Sequence, residues 1–473
     1  MARPEASCKT DNAMSHLKTT IQRSTVDARR SACPGLFRMA KALDGGICRL
    51  KLTFGDLSAV QARFVADAAQ RCGNGTIEIT NRANLQIRGV RPEMEEALVT
   101  ALLEAGLGPL TDRGDDVRNI MISPFAGFDR TLPDVRPLAL RVLTIVQTNL
   151  LYQTLSPKFS ILIDGGESVA MVDHPHDLWL SPVDLESGAA RFAFGIAGVP
   201  PTKADAQPAL GSIATKQAFG LITGMLDIFI EWCRAHPQAS RLRHMTDETG
   251  AEYLVDQLES RLGVPIRSEK ITNWRRYPAR ENGHLGPSPE AENSHCFVGA
   301  MPPLGRLDPG LLQSLADVAE KYGNGTLRMT PWQSVLLPQV SIGDAKTTLA
   351  ALEALGLGAN PKKALATMIS CSGSAGCSSA LAATQSDGLK LASLMQGSPA
   401  VPRIHMSGCS KSCASPSAKP ITLVATAAGR YDVFLCATNG PSRFGKLLAA
   451  NVTIDEAAEL IGENSGSGGP IYA

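Results

Sequence analysis

No run of about 18 apolar residues occurs in the chain, so the sequence predicts no membrane-spanning helix. An excess of either charge is also missing. Lys and Arg number 46 against 45 Asp and Glu, a net of +1, and a general nucleic-acid binder would be more basic. Residues 1–25 hold scattered charges and no apolar core, which excludes a signal peptide from the reading and leaves a flexible tail. No Gly-x-Gly-x-x-Gly or phosphate-loop motif follows a strand-like run, so no dinucleotide-binding domain is expected. The glycine pairs 45–46 and 165–166 read as turns, residues 163–168 (IDGGES) as a hairpin turn, and 465–470 (SGSGGP) as a flexible tail. What remains is a chain of 473 residues, 44% hydrophobic, too long for one ordinary core. The expectation is a cytoplasmic, multidomain protein with reduced thiols.

Eleven cysteines are an odd count, which argues against a disulfide framework in such a compartment. Cys8, Cys48, Cys72, Cys233, Cys296 and Cys436 are scattered and read as small core residues. Four others cluster. CSGSAGC (371–377) and CSKSC (409–413) together give C-x5-C-x31-C-x3-C. Four thiolates are the usual complement of a cubane iron–sulfur cluster, and glycines and serines let backbone approach its sulfurs. A five-residue spacing in a Ser/Gly loop suits zinc poorly. The C-x3-C pair, placed at a helix start, would put both thiolates on one face.

The chain repeats itself. CGNGTIEITNRANLQIRGV (72–90) and YGNGTLRMTPWQSVLLPQV (322–340) lie 250 residues apart, and the Gly-Leu-Gly triplets at 106 and 356 keep that offset. Each Gly-Asn-Gly follows a stretch with helical apolar spacing, 57–71 and 308–322. The unit is helix, turn, strand, loop, strand, helix. NIMISPFAG (119–127) matches TMISCSGSAG (367–376), with Pro124 where the second copy has Cys371. Two scaffolds are therefore alike, and the cysteines belong to the second.

These residues resemble the sulfite and nitrite reductase superfamily, whose members place a [4Fe–4S] cluster beside sirohaem. Thr80–Gln86 is similar to its T-x-R-x-x-x-Q strand, Val117-Arg118-Asn119 with Ser123-Pro124 and Ala126-Gly127 to its V-R-N…S-P-x-A-G loop, and Ser156–Phe159 to its P-x-K-F segment. Two departures stand out: Ser160 replaces the second lysine of the sulfite reductases, and CSKSC replaces C-P-N-G-C. The precorrin-3B synthase branch resembles the chain more closely, through residues 32–52, 80–90 and 405–416. The resemblance implies an α+β fold, a pseudo-twofold repeat of ferredoxin-like half-domains with two α/β domains. Its expected segments are 1–25 (tail), 26–93 (half-domain), 94–285 (α/β, substrate), 286–345 (half-domain) and 346–473 (α/β, cluster).

The implied activity is an oxygen-dependent monooxygenase. It would hydroxylate C20 of precorrin-3A with dioxygen and close a γ-lactone. It would use a [4Fe–4S] cluster on Cys371, Cys377, Cys409 and Cys413, and a mononuclear non-haem iron. Electrons would reach it from a donor using NAD(P)H. Precorrin-3A is rimmed by carboxylates, so its pocket needs cations and donors. The candidates are Arg82, Arg88, Arg118, Asn119, Lys158 and Lys411. Arg82 and Arg88, an even number of residues apart, are expected on one face of one strand. The second repeat has Trp332 at Arg82's position. The iron ligands stay open. DHPHD (173–177) is the dense histidine group but reads as a surface turn, and His405 is the alternative. A sirohaem reductase and a non-catalytic cluster-bearing tetrapyrrole binder remain as rival readings.

Overall fold

A computed structural model describes residues 33–183, 191–266, 269–289, 294–415, 417–436 and 443–466. The reading of 1–25 as a tail, Cys8, and most of 465–470 lie outside these residues.

Four five-stranded sheets carry the fold. The first contains Ala40–Ala42, Gly45–Leu50, Leu85–Val90, Ile77–Ile79 and, from the second repeat, Arg306–Leu307. The sheet of the second repeat contains Gly286–Pro289, His295–Ala300, Val335–Ser341, Thr326–Met329 and, from the first repeat, Asp56–Ser58. Each half-domain thus lends a strand to the other. Leu307 pairs with Ile77, and Leu57 pairs with Leu327. One continuous core follows, with Leu57, Ile77, Leu307 and Leu327 all buried in it.

The local chemistry of the two copies explains their shared form. Helix Ala59–Cys72 starts on Ser58, whose hydroxyl caps Gln61 N while the Gln61 side chain caps back. Helix Pro309–Tyr322 starts on Asp308 with Pro309 in its first turn. The two helices pack together, and Arg63 joins them at the surface by reaching Asp317 and Glu320 at 2.6 and 2.7 Å. In both Gly-Asn-Gly-Thr turns the Asn side-chain Oδ1 accepts the Thr N–H, at 3.0 Å for Asn74 and 3.2 Å for Asn324. The second glycines, Gly75 and Gly325, take φ of +79° and +75°, which is why glycine recurs there.

Helices Glu95–Glu104 and Ala345–Ala354 bury Leu98, Leu102, Ala345 and Leu352 in this same half-domain core. The first of them, and all but Ala345 of the second, fall in the segments expected from the sequence to begin at 94 and 346.

The α/β sheets also repeat each other. Ile120–Met121, Ile161–Ile163 and His176–Val183 run parallel, then Arg191–Gly198 and Gly211–Ala214 return antiparallel. Met368–Ser370, Ile404–Ser407 and Ile421–Ala427 run parallel, and Arg430–Leu435 and Lys446–Val452 follow antiparallel. Residues 163–168 are therefore no hairpin, because the strands on either side run parallel and need a crossover. Among the described residues no helix is long and apolar enough to cross a membrane.

Candidate functional site

Cys371 directly follows strand Met368–Ser370, and Cys409 comes two residues after the adjacent parallel strand Ile404–Ser407. Their loops leave the same sheet end side by side, where open α/β sheets place ligands. Cys371 N donates to Met406 O at 3.2 Å, Leu381 N to Gly408 O at 2.8 Å, and Gly408 N to Cys371 Sγ at 3.1 Å. Lys411 Nζ donates to Ser379 Oγ at 2.9 Å and links the two loops again. The small residues are sterically required. A Cβ on Gly373 would lie 2.7 Å from Thr384 N, and one on Gly408 would lie 2.6 Å from Ala380 Cβ. The C-x3-C pair sits in a turn with Ser412 at φ +56°, not at the helix start its spacing suggested. A positive φ cannot continue a helix, so the two thiols are arranged by the turn.

Cys371, Cys377 and Cys409 are half-buried and Cys413 is exposed. Cys413 keeps access to solvent, yet partial desolvation, then repulsion from Cys409, Cys371 and Cys377, pushes its thiol upward, while Lys411 opposes this. Four thiols in mutual electrostatic reach suit a cation-rich cluster, which would relieve that repulsion. Among the described residues, no three His, Cys, Asp or Glu side chains close on a single metal ion. A cubane spreads its thiolates wider than one ion does. Of the other cysteines, Cys48, Cys72 and Cys296 are core residues, whereas Cys233 is half-buried and Cys436 is exposed, contrary to the core reading.

The cluster loop is clamped from the opposite half-domain. Arg88 reaches Asp44 at 2.8 Å and Glu78 at 3.3 Å, and its Nη2 donates to Gly376 O at 3.0 Å. Glu78 also accepts from Arg306 and from Ser372 Oγ, at 2.8 and 3.0 Å. Asn81 Nδ2 donates to Cys413 O at 3.2 Å.

The other sequence candidates separate into different environments. Arg82 does not share the strand of Arg88: it lies in the turn before Leu85–Val90, where Ala83 takes φ +55° and breaks the alternation. Arg82 Nη1 sits 3.3 Å from His176 Nδ1 and lines a cavity of about 450 Å³ with Arg118 and Asn119. Arg118 is buried against Asp115 at 2.8 Å. Asn119 Nδ2 donates to Pro157 O and Phe159 O at 2.8 and 3.1 Å, which sets the segment bearing the exposed Lys158. The corresponding turn of the second repeat brings Trp332 to the matching corner, with Gln333 at φ +66°.

His174 and His176 are buried, not on a surface turn, because His176 opens a central strand whose side chains are buried. Burial first, then Arg82, pushes His174 down to about 3 and His176 well below its usual value. Burial does the same to His405 and His284, each to about 3. Neutral imidazoles could ligate iron. However, Asp177 is taken by Arg241 Nε, Ser160 N and Leu242 N at 2.9 to 3.0 Å, and the rings of His174 and His176 are 5.7 Å apart. The described residues do not assemble the expected mononuclear iron site.

Beside the cysteines a cavity of about 560 Å³ opens between the α/β domains. It shares Asn81, Gln333 and Ala414 with the cavity that Cys371 and Cys413 line. His284 and Trp332 stack on one side, and His174, Arg403 and Lys419 contribute the polar side. None of Arg403, Lys419 or His284 stood out in the sequence, because isolated basic residues carry no spacing signal.

Comparisons with known proteins place this architecture. The model of the nitrite/sulfite reductase ferredoxin-like half domain matches residues 41–105 and 289–355. The model of the nitrite and sulphite reductase 4Fe-4S domain matches residues 113–266, the α/β copy without the paired cysteines. A [4Fe–4S] domain is thus part of this family's make-up, and the cysteine pairs lie in the topologically equivalent second copy. Chloroplastic ferredoxin–nitrite reductase of Zea mays is 30% identical over 400 residues, covering 80% of this chain and 69% of the relative. Ferredoxin–nitrite reductase of Synechococcus elongatus is 30% identical over 393 residues, covering 80% and 76%. Precorrin-3B synthase of Sinorhizobium sp is 26% identical over 455 residues, covering 93% and 90%. The Mycobacterium tuberculosis NirA structure superposes with a TM-score of 0.70 at 19% identity, over 88% of this chain and 79% of that one. With both half-domains matched, the strands exchanged between them and the relatives aligned over most of their length, the chain belongs to the nitrite and sulfite reductase family.

Proposed function

We propose that the chain is a precorrin-3B synthase-type monooxygenase that hydroxylates C20 of precorrin-3A. One oxygen atom of dioxygen enters the substrate and the other leaves as water. Two electrons come from a nicotinamide-dependent donor, and the ring A acetate closes a γ-lactone. The observation that carries this reading is coextension: the similarity to the Sinorhizobium precorrin-3B synthase runs over 93% of this chain and 90% of that one. Ser160 supports it. Where the sulfite reductases carry a second lysine, this chain has a buried hydroxyl with no hydrogen-bond partner, its N–H held by Asp177 at 3.0 Å. A lysine there would bury an ammonium, so the site lacks one of the reductases' proton-bearing cations.

The four clustered cysteines would hold the cluster, which supplies electrons one at a time. The protein's own side chains bind and orient. Asn119 fixes the Pro157–Phe159 backbone and so presents Lys158 outward. Arg82, beside an imidazole held neutral, keeps its charge for a substrate carboxylate.

A second reading, ferredoxin-dependent nitrite reduction, is favoured by the 30% identity to the Zea mays and Synechococcus enzymes. Anaerobic purification followed by an absorption spectrum and a metal assay separates the two. Cluster absorption without sirohaem bands, and conversion of added precorrin-3A under oxygen, is the expected result. Sirohaem bands with nitrite turnover would overturn the proposal.

A further inference from the structure

The cavity between the α/β domains has a lopsided polar inventory. Arg403, Lys419 and His174 face it. The available anions are solvated: Asp173 is 4.0 Å from Lys419 Nζ and Glu281 is 3.4 Å from Arg403, both carboxylates are more than half exposed, and the Arg403 guanidinium keeps partial access to water, its side chain 29% exposed. Lys419 is itself only 9% exposed, and its hydrogen bond to Ser417 Oγ is long, at 3.3 Å. Arg403 Nε and His174 Nδ1 are buried without any partner. Withdrawing cations from water without firm counterions costs free energy that an anionic occupant would return.

One wall of the same cavity carries the half-buried Trp332, whose indole is backed by the buried His284 ring, stacked at 4.7 Å and within 3° of parallel. His284 is held there by Ser334 Oγ at 2.9 Å. An aromatic wall facing these cations fits a planar ring that bears carboxylates at its edge. The arginines of the sequence motifs are less available for this task. Arg88 is spent on Asp44 and Glu78, and Arg118 on Asp115.

We infer that Lys419 and Arg403 grip the rim carboxylates of a tetrapyrrole that lies along the Trp332–His284 wall. This rests on the reading above that the ligand is a tetrapyrrole, and it adds which residues select the carboxylated rim. Asn81 and Ala414, shared with the cysteine cavity, put that ring next to Cys413.

The test is a titration of the cluster-loaded full chain with uroporphyrin III, a stable tetrapyrrole whose whole rim is carboxylated. Soret shift and tryptophan quenching report binding. Lys419→Met and Arg403→Met should each raise Kd about tenfold, the worth of one charge-assisted hydrogen bond. Lys419→Arg should recover most of that loss, with iron and sulfide content unchanged in all three. Wild-type affinity should also fall with added salt, a readout that needs no substitution. Undiminished binding in the Met variants, or salt-independent binding by the wild type, overturns the assignment and leaves the tetrapyrrole reading standing. Failure of the wild type to bind uroporphyrin III at all overturns both.

Discussion

Asn81 Nδ2 lies 3.2 Å from the carbonyl oxygen of Cys413, a hydrogen bond between residues 332 positions apart. It ties the first half-domain to the cysteine turn of the last domain. Asn81→Ala should cost about 1 kcal/mol of local stability, roughly fivefold in the opening of that turn. Bleaching of the cluster band in air should quicken accordingly while the melting temperature hardly moves. An unchanged bleaching rate would mean that the turn is held by its own serines.

Arg88 is 3% exposed and sits between Asp44 and Glu78 with Gly376 O as its third partner. Removing it leaves Asp44 at a domain junction without its cation and Glu78 with Arg306 alone. Arg88→Met should therefore destabilise the chain by about 3–5 kcal/mol in urea titration. A change below about 0.5 kcal/mol, the size seen for surface substitutions, would show that the pair is solvated in solution.

Four buried histidines make stability depend on pH. His174, His284 and His405 are held down to about 3, and His176 also lies well below its usual 6.5. A lowered folded value means that only the unfolded chain takes up protons as pH falls below about 6.5. Their contribution is full above that point and is lost toward pH 3, by at most ~1.4 kcal/mol per pH unit for each histidine. Glu167 runs the other way. Burial and Asp164 raise it to about 8, so its contribution, full below about 4.5, is lost as pH rises from there to 8 and, up to about 6.5, offsets one histidine. Urea midpoints at pH 7, 6 and 5 should fall steeply; a flat profile would place the imidazoles in water.

Cys409→Ala should abolish the cluster, whereas Cys48→Ala, in the half-domain core, should leave it assembled at some cost in stability. Iron and acid-labile sulfide per chain give the answer. A full complement in the Cys409 variant would sink the four-cysteine assignment.

Much was legible in linear order. The Gly-Asn-Gly-Thr turns, the 250-residue offset and the two cysteine pairs are short-range patterns, each set by local backbone geometry or by ligand spacing. The α+β repeat could be read from them. The partners of Arg88, the burial of His174 and His176, and the turn that separates Arg82 from its supposed strand could not. The first two depend on residues tens to hundreds of positions away, and the third on a local turn closed by Thr80 and Asn84 with Ala83 at positive φ, which period-two alternation does not register.

The strand exchange marks the division most clearly. Sequence periodicity determined that each repeat makes helix, turn and strands, because those elements answer to capping and alternation within a few residues. Only the tertiary structure decided that Asp56–Ser58 and Arg306–Leu307 cross into the opposite sheets, since two copies of one pattern offer equivalent edges. It alone also brought Lys419, buried, and Arg403, half-buried, two ordinary basic residues in the sequence, to one cavity next to the cysteine loops. Their charge acquires meaning only where packing excludes water.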